Sequence, residues 1–210
     1  LHTSARLKAV QAWRAADRPG EAGPPADGPP PLTGRRPVDL DASRVLWTGR
    51  NLLNKHTGAV PLTAGKLTFQ QGWLAGGEFT LDLRGLTCTD IADPALNRVL
   101  LDHLHGDDFF DTGRFPVTWF IVRRAEPVPG GTPGAPNVRV TGDLTLKAVT
   151  QSITFPAVAG RTPDGRAAVQ AVLAIDRTRW QVRYGSGKLF HRLGRHLVND
   201  LIEIEVRLVA

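Results

Sequence analysis

The sequence predicts an all-β protein, a closed antiparallel barrel of about eight strands with one short helix at an end. The first observation is alternation, because apolar and polar side chains follow one another with period two in residues 78–84, 138–147 and 202–208. Such alternation is typical of strands with one buried and one solvated face. The second observation is that glycine- and proline-rich turns join these segments at short spacing, which favours antiparallel neighbours over βαβ units.

The predicted strands direct large apolar side chains toward the barrel interior, because alternate residues of a strand face opposite sides. The residues expected to line the bore are Val45, Trp47, Phe79, Leu81, Leu83, Phe120, Val140, Leu144, Leu146, Ile153 and Phe155. A small barrel of this kind can be filled completely by its own side chains. The sequence therefore leaves open whether the bore is hollow or filled.

Residues 117–122 differ from the other strands because VTWFIV is apolar on both faces, and such a strand needs cover outside the sheet. The expected cover is a helix that begins at Pro94, where the missing N–H costs nothing, after the capping residue Asp93. The apolar stripe of this helix consists of Leu96, Val99, Leu100, Leu101 and Leu104.

Residues 1–37 are predicted to precede the barrel domain, which spans residues 38–210. Residues 1–16 fit a short helix, with Leu7, Val10 and Trp13 at helical spacing. Residues 18–37 are too rich in proline and glycine for a helix or a strand ladder. We therefore expect an extended linker there that contributes nothing to the buried core.

The composition is that of a globular domain, with 41% hydrophobic and 22% charged residues. No apolar run approaches the ~18 residues of a membrane-spanning helix, so we expect a soluble protein. The net charge of +6 comes from dispersed lysines and arginines without interleaved aromatic residues, which favours a solvated basic surface over nucleic-acid binding. The single cysteine, Cys88, excludes an internal disulfide and is interpreted as a packing residue.

Few residues of the sequence are candidates for metal binding or catalysis. His103 and His105 precede Asp107 and Asp108, but histidines two apart at a helix end point in different directions, so no metal site is predicted. The carboxylates of DDFFD lie beside glycines, which is typical of a turn rather than of acid–base catalysis. That turn is expected to lock Phe109 and Phe110 in place. His56 is interpreted as an ordinary surface histidine, and no catalytic residue is predicted.

The segment RYGSGK forms a second candidate region. Its glycines lack the spacing of a nucleophile elbow, and a plain flexible loop is the favoured interpretation. Arg183 and Lys188 beside these glycines are candidates for a rim that holds a phosphate or carbonyl head group. Trp180 is the tryptophan expected at the rim of the bore.

The order and spacing of several segments resemble the YceI-like family. These segments are HLHGDDFFDTGRFPVTWF, VRVTGDLTLKAVTQSITFPAVAG, the WTGRNLLNKHTGAV opening and the RYGSGKLFHRLG…NDLIEIEVRLV close. The resemblance covers residues 38–210 and implies a lipocalin-like barrel of bacteria that holds a polyisoprenoid lipid. It also implies that the DDFFD turn closes one side of the lipid tunnel, with Phe109 and Phe110 among its lining residues.

The function that this resemblance implies is non-catalytic binding or transport of a polyisoprenoid amphiphile, such as a polyprenyl diphosphate or an isoprenoid quinone. The alternatives are a ligand-free structural or stress-response barrel and, less favoured, a hydrolase acting at the rim. No cofactor is expected beyond a bound lipid. The resemblance implies a periplasmic or other extracytoplasmic location, although the first residues of the chain do not form a signal peptide. Peripheral membrane contact and a homodimer are both compatible with this interpretation.

Overall fold

β-Strands dominate the described part of the chain, as the alternation of the sequence predicts. A computed structural model of the protein describes residues 29–51, 53–130, 132, 134–186 and 198–210. Within it, Pro31–Ala210 form one compact unit, whereas the unit Leu1–Pro30 lies almost entirely outside the described residues. The helix predicted over residues 1–16 also lies outside them.

The described residues form eleven strands, one α-helix and two short 3₁₀ helices. The strands are β1 (Gly34–Pro37), β2 (Arg44–Arg50), β3 (Lys55–Ala59), β4 (Leu62–Gln70), β5 (Trp73–Asp82), β6 (Thr87–Cys88), β7 (Val117–Pro127), β8 (Val138–Leu146), β9 (Val149–Arg161), β10 (Ala167–Asp176) and β11 (Leu201–Val209). The helix α1 is Pro94–His105, and the 3₁₀ helices are Leu83–Gly85 and Arg177–Trp180.

All strands pair antiparallel in one sheet with the order β1-β4-β5-β7-β8-β9-β10-β11-β2-β3-β6. This order corrects the prediction of a closed barrel of eight strands, because the sheet is an open half-barrel of eleven strands. No ladder joins β1 to β6 within the described residues. Instead, β3 passes into β4 through Val60 and Pro61, and the Asp82 N–H donates to the Pro61 carbonyl at 3.0 Å. The chain itself thus connects the two regions of the sheet at this corner.

The core consists of two apolar clusters at opposite ends of the long strands. The first contains Leu67, Phe69, Val138, Val169 and Leu208. The second lies at the other ends of the same strands or their neighbours, and its members are Trp47, Leu83, Leu86, Cys88, Leu104, Phe109, Leu146, Ile175, Trp180, Val182 and Ile202. Because α1 contributes Leu104 to the second cluster, we call that end of the sheet the α1 end.

The N-terminal part of the described chain belongs to the sheet, which corrects the predicted linker over residues 18–37. Gly34–Pro37 pair with β4, and Leu32 is only 4% exposed within the first cluster. The Gly72 N–H donates to the Leu32 carbonyl at 2.9 Å, which ties this segment to the β4–β5 turn. Among the described residues, the core therefore includes Leu32, ahead of the predicted boundary at residue 38.

Helix α1 begins where the sequence predicts. The Asp93 carboxylate accepts hydrogen bonds from the Ala95 and Leu96 N–H groups at 2.8 and 3.0 Å. The expected stripe is buried only in part, because Leu96 and Val99 are exposed. The helix packs against β6, and the outer face of β7 leaves Trp119 exposed, so the expectation that α1 covers β7 is wrong. Within the described residues, no helix is long and apolar enough to cross a membrane.

Candidate ligand-binding cavity

The inward faces of the strands surround a cavity of about 420 Å³. Pockets that bind small molecules typically measure about 300–1,000 Å³. Phe79, Phe120 and Phe155 face this space and keep part of their surface accessible. The interior is therefore hollow, and the hypothesis that side chains fill it is wrong.

Nearly all of the residues that the sequence assigned to the bore line the cavity. Phe109, Phe110 and every predicted bore residue except Trp180 line the cavity; their role in binding a ligand stays a prediction. Inward residues of β11 and β10 complete the apolar wall. The further apolar lining residues are Val60, Leu62, Leu67, Leu74, Leu86, Leu100, Leu104, Val122, Val169, Ala171, Leu173, Ile175, Val198, Ile202, Ile204, Val206 and Leu208.

Two glycines allow aromatic rings to lie against the sheet instead of across the cavity. A Cβ atom at Gly142 would lie 2.3 Å from Cζ of Phe120, and one at Gly77 would lie 2.8 Å from Cζ of Phe79. Cβ atoms essentially never lie within 3.0 Å of another heavy atom, so each ring occupies space that a side chain could take only if the ring or its surroundings shifted. Close approach of a ring to the backbone is one of the uses of glycine in a strand.

The DDFFD turn closes part of the wall, as expected. Phe109 is buried, and its ring contacts that of Phe110 edge to face with centroids 5.0 Å apart. Lys147 Nζ donates to the Phe109 and Asp107 carbonyls at 2.8 and 3.1 Å, which fixes the turn to the β8–β9 hairpin. Asp107 is exposed and Asp111 lies 3.4 Å from Arg114, so the carboxylates serve the turn.

The polar side chains that line the cavity all lie at the α1 end. They come from the β2–β3 hairpin, the start of β7, helix α1 and the segments that follow β10 and precede β11. These residues are Arg50, Asn51, His56, His103, Thr118, Arg177, Tyr184 and Asn199. The rest of the wall is apolar. The cavity therefore has one polar end, at α1, and an otherwise apolar wall.

Arg177 is the buried cation of this polar end. Its guanidinium donates to the carbonyls of Val182, Asn199 and Val198 at 2.8, 3.1 and 3.2 Å and lies 3.5 Å from Asp200. Burial lowers the pKa of Arg177 from its ordinary value, and the nearby Asp200 and Asp176 carboxylates oppose that change. With these bonds, Arg177 holds together the chain segments on both sides of residues 187–197.

The structure gives the positions of two of the three residues predicted at the rim, Trp180 and Arg183. Trp180 is fully buried and donates from Nε1 to the Leu144 carbonyl at 3.0 Å, so its predicted position at the rim of the bore is wrong. Arg183 is exposed and does not line the cavity. Lys188 lies outside the described residues. His103, which the sequence left without a role, lies at the wall with its ring centroid 4.3 Å from that of Tyr184.

The sequence matches the YceI-like domain over residues 37–210, which is most of the chain. This protein belongs to the YceI-like family. The resemblance seen in its segments is thereby confirmed. No curated protein matches the chain significantly.

Solved structures share the fold of this YceI-like protein at low sequence identity. BcnA of Burkholderia cenocepacia has a TM-score of 0.66 and 24% identity, with 82% of this chain and 99% of that chain covered. A polyisoprenoid-binding domain from Saccharophagus degradans has a TM-score of 0.58 and 17% identity, covering 85% and 98%. The YCEI protein of Campylobacter jejuni has a TM-score of 0.51 and 15% identity, covering 94% of each chain. At these identities the likeness shows the fold alone.

The structure of this YceI-like protein also brings together three side chains that sequence reasoning kept apart. His56 on β3, Cys88 on β6 and Asp90 place potential ligand atoms within 4.8 Å of one another beside the polar end. Burial raises the pKa of Asp90, but hydrogen bonds from Thr57 N–H, Cys88 and His56 outweigh it and lower the pKa to about 2. Burial and the neighbouring Asp90 raise the pKa of the Cys88 thiol. No local spacing reveals this group, because β3–β6 pairing assembles it.

Proposed function

We propose that this YceI-like protein binds an amphiphilic polyisoprenoid lipid in its cavity and does so without catalysing a reaction. The observation that carries the proposal is the asymmetry of the wall, which is apolar along the strands and polar at the α1 end. Such a wall matches a ligand with a long hydrocarbon chain and one polar head. The fold supports the same ligand class, because the Saccharophagus degradans neighbour is a polyisoprenoid-binding domain.

The energetics favour a long chain. Each buried methylene contributes about 0.8 kcal/mol, so about 20 buried carbons contribute ~16 kcal/mol. This gain exceeds most estimates of about 4–15 kcal/mol for the freedom lost on association. We therefore expect affinity to rise with the number of isoprene units until the apolar end of the cavity is full.

The head group in this proposal lies at the α1 end. Arg50, His103 and Tyr184 offer the donor groups that recognise phosphate or carbonyl oxygens. A polyprenyl diphosphate and an isoprenoid quinone both satisfy this requirement. A periplasmic or other extracytoplasmic location and peripheral contact with a membrane belong to the same proposal and rest on the family resemblance.

Two adjacent residues of β10 provide the test. Leu173 lines the cavity and packs against both apolar clusters, so a larger side chain there obstructs the passage between the two ends. Val172 is 54% exposed on the other face of the same strand. Leu173→Trp should therefore abolish lipid retention, whereas Val172→Trp should retain the wild-type amount.

The measurement is native mass spectrometry with extraction of lipid from protein purified without detergent from a bacterial host. Circular dichroism establishes that both variants fold. Wild-type protein is expected to carry a polyisoprenoid or to take up added ubiquinone or undecaprenyl diphosphate. A wild-type protein that neither carries nor takes up such a lipid would overturn the proposal, as would a folded Leu173→Trp protein with undiminished lipid.

A further inference from the structure

We propose that His56, Cys88 and Asp90 form a binding site for a divalent transition-metal ion, with Zn²⁺ as the expected ion. The His56 Nδ1 atom lies 3.1 Å from Asp90 Oδ2, and Cys88 Sγ lies 3.2 Å from Asp90 Oδ1. All candidate ligand atoms lie within 4.8 Å of one another. In a tetrahedral zinc site with bonds of about 2.0–2.3 Å, ligand atoms are about 3.4–3.6 Å apart. Small side-chain rotations are enough to bring the three ligands to these distances.

The backbone that carries these ligands is already fixed. Asn97 of α1 donates from Nδ2 to the carbonyls of Cys88 and Ile91 at 2.9 and 3.0 Å. The Thr57 N–H donates to Asp90 Oδ1 at 2.7 Å, which orients the carboxylate and leaves Oδ2 toward His56. Hydrogen bonds around metal ligands orient them and typically change metal affinity about 10–100-fold. The site thus has the supporting contacts that metal ligands use.

The close approach of β6 to β3 also fits a site built across this edge of the sheet. A Cβ atom at Gly58 would lie 1.7 Å from the Thr87 carbonyl oxygen, so β6 can pair here only because residue 58 is glycine. Trp47 Nε1 donates to the same carbonyl at 3.0 Å. These contacts set Cys88 opposite Gly58 in the ladder, two residues along β3 from His56.

The chemistry of the donor set selects the kind of ion. One thiolate, one imidazole and one carboxylate suit zinc and related transition metals, whereas Ca²⁺ and Mg²⁺ prefer oxygen ligands alone. Binding displaces the thiol proton of Cys88, as metal–thiolate bonds require. Three protein ligands leave a fourth position open to water or another donor. Because His56 also lines the cavity, the ion would lie beside its polar end.

Cys88 is the only cysteine of the chain, so sulfur-specific signals report on this site alone. The full-length protein, without an affinity tag and reduced, is titrated with Co²⁺ and then with Zn²⁺. We expect a sulfur-to-cobalt charge-transfer band that saturates at one equivalent and disappears when Zn²⁺ displaces Co²⁺. Zn²⁺ should also slow the alkylation of Cys88 by iodoacetamide at least tenfold, and Mg²⁺ should not.

Three substitutions test whether the metal ion binds at this site rather than at another histidine of the chain. His56→Gln and Asp90→Asn should each weaken Co²⁺ binding, measured by the charge-transfer band, at least tenfold. His105→Gln is the control, because His105 contacts Thr112 rather than this group, and it should leave the band unchanged. Circular dichroism with and without Zn²⁺ verifies folding. The proposal is overturned if wild-type protein shows no charge-transfer band and no protection of Cys88, or if both persist undiminished in the folded His56→Gln and Asp90→Asn proteins.

Discussion

Individual residues decide whether the interior of this sheet is hollow. The Phe120 ring lies over Gly142, and the Phe79 ring lies over Gly77, so large aromatic side chains cover the wall without crossing the cavity. Phe120 on β7 and Phe155 on β9 have ring centroids 5.8 Å apart, so the aromatic surface continues across β8, which lies between these strands. A side chain at either glycine would force the ring or the neighbouring backbone to move. The open space of the cavity thus depends on Gly77 and Gly142, two residues without side chains.

Gly142→Ala tests this role. The new Cβ would lie 2.3 Å from the Phe120 ring and 2.6 Å from the Ile121 carbonyl oxygen, so either the ring or the β7–β8 ladder must move. Overpacking of this kind costs about 1–3 kcal/mol of unfolding free energy. Gly160→Ala is the control, since nothing lies within 4 Å of its Cβ, and its stability should stay within about 0.5 kcal/mol of wild type. Urea denaturation measures both, and equal stabilities would contradict the assigned role.

At the scale of elements, those with local signals could be predicted from the sequence. Helix α1 begins at Pro94 behind the Asp93 cap because both signals act within a few residues. Strands β5, β8 and β11 alternate over enough residues to define an inward face, and their inward apolar residues line the cavity.

The missed elements depend on distant partners. Strands β1 and β6 have four and two residues, too few for an alternation to emerge, and their pairing with β4 and β3 creates them. Trp180 lies in a 3₁₀ helix, where period-two reasoning from β10 no longer gives the direction of the side chain. The His56, Cys88 and Asp90 group was missed for the same reason, since residues 56 and 90 meet only through the β3–β6 ladder.

Leu32→Ala tests whether the segment before β1 is an integral part of the fold. Leu32 is 4% exposed and packs in the first cluster, so its truncation should cost about 2–5 kcal/mol. Leu40→Ala is the control, because Leu40 is 41% exposed and should change stability by less than about 0.5 kcal/mol. Chemical denaturation monitored by tryptophan fluorescence gives both values. If the two variants are equally stable, the segment behaves as the linker that the sequence predicted.

At the scale of the whole described domain, the buried apolar side chains form two clusters, one toward each end of the long strands. Members of both clusters line the cavity of this open half-barrel. Leu173 packs against both clusters and so links the two regions of the core. A ligand in the cavity would add contacts that the protein alone does not make there. Binding of a ligand to the folded protein should therefore raise the free energy of unfolding.

The coupling predicts how the thermal midpoint responds to lipid. A ligand that binds only the folded state at about 100 times its dissociation constant stabilises by ~2.7 kcal/mol. For a domain of this size, 1 kcal/mol shifts the midpoint by about 2–4 °C, so saturating lipid should raise it by about 5–10 °C. Delipidated wild-type protein and Val172→Trp should both show this shift in differential scanning fluorimetry with ubiquinone. Leu173→Trp, which places an indole in the passage between the ends, should show less than about a third of it. An equal shift in Leu173→Trp would mean that the lipid binds outside the cavity, and it would remove the link between the hollow interior and stability.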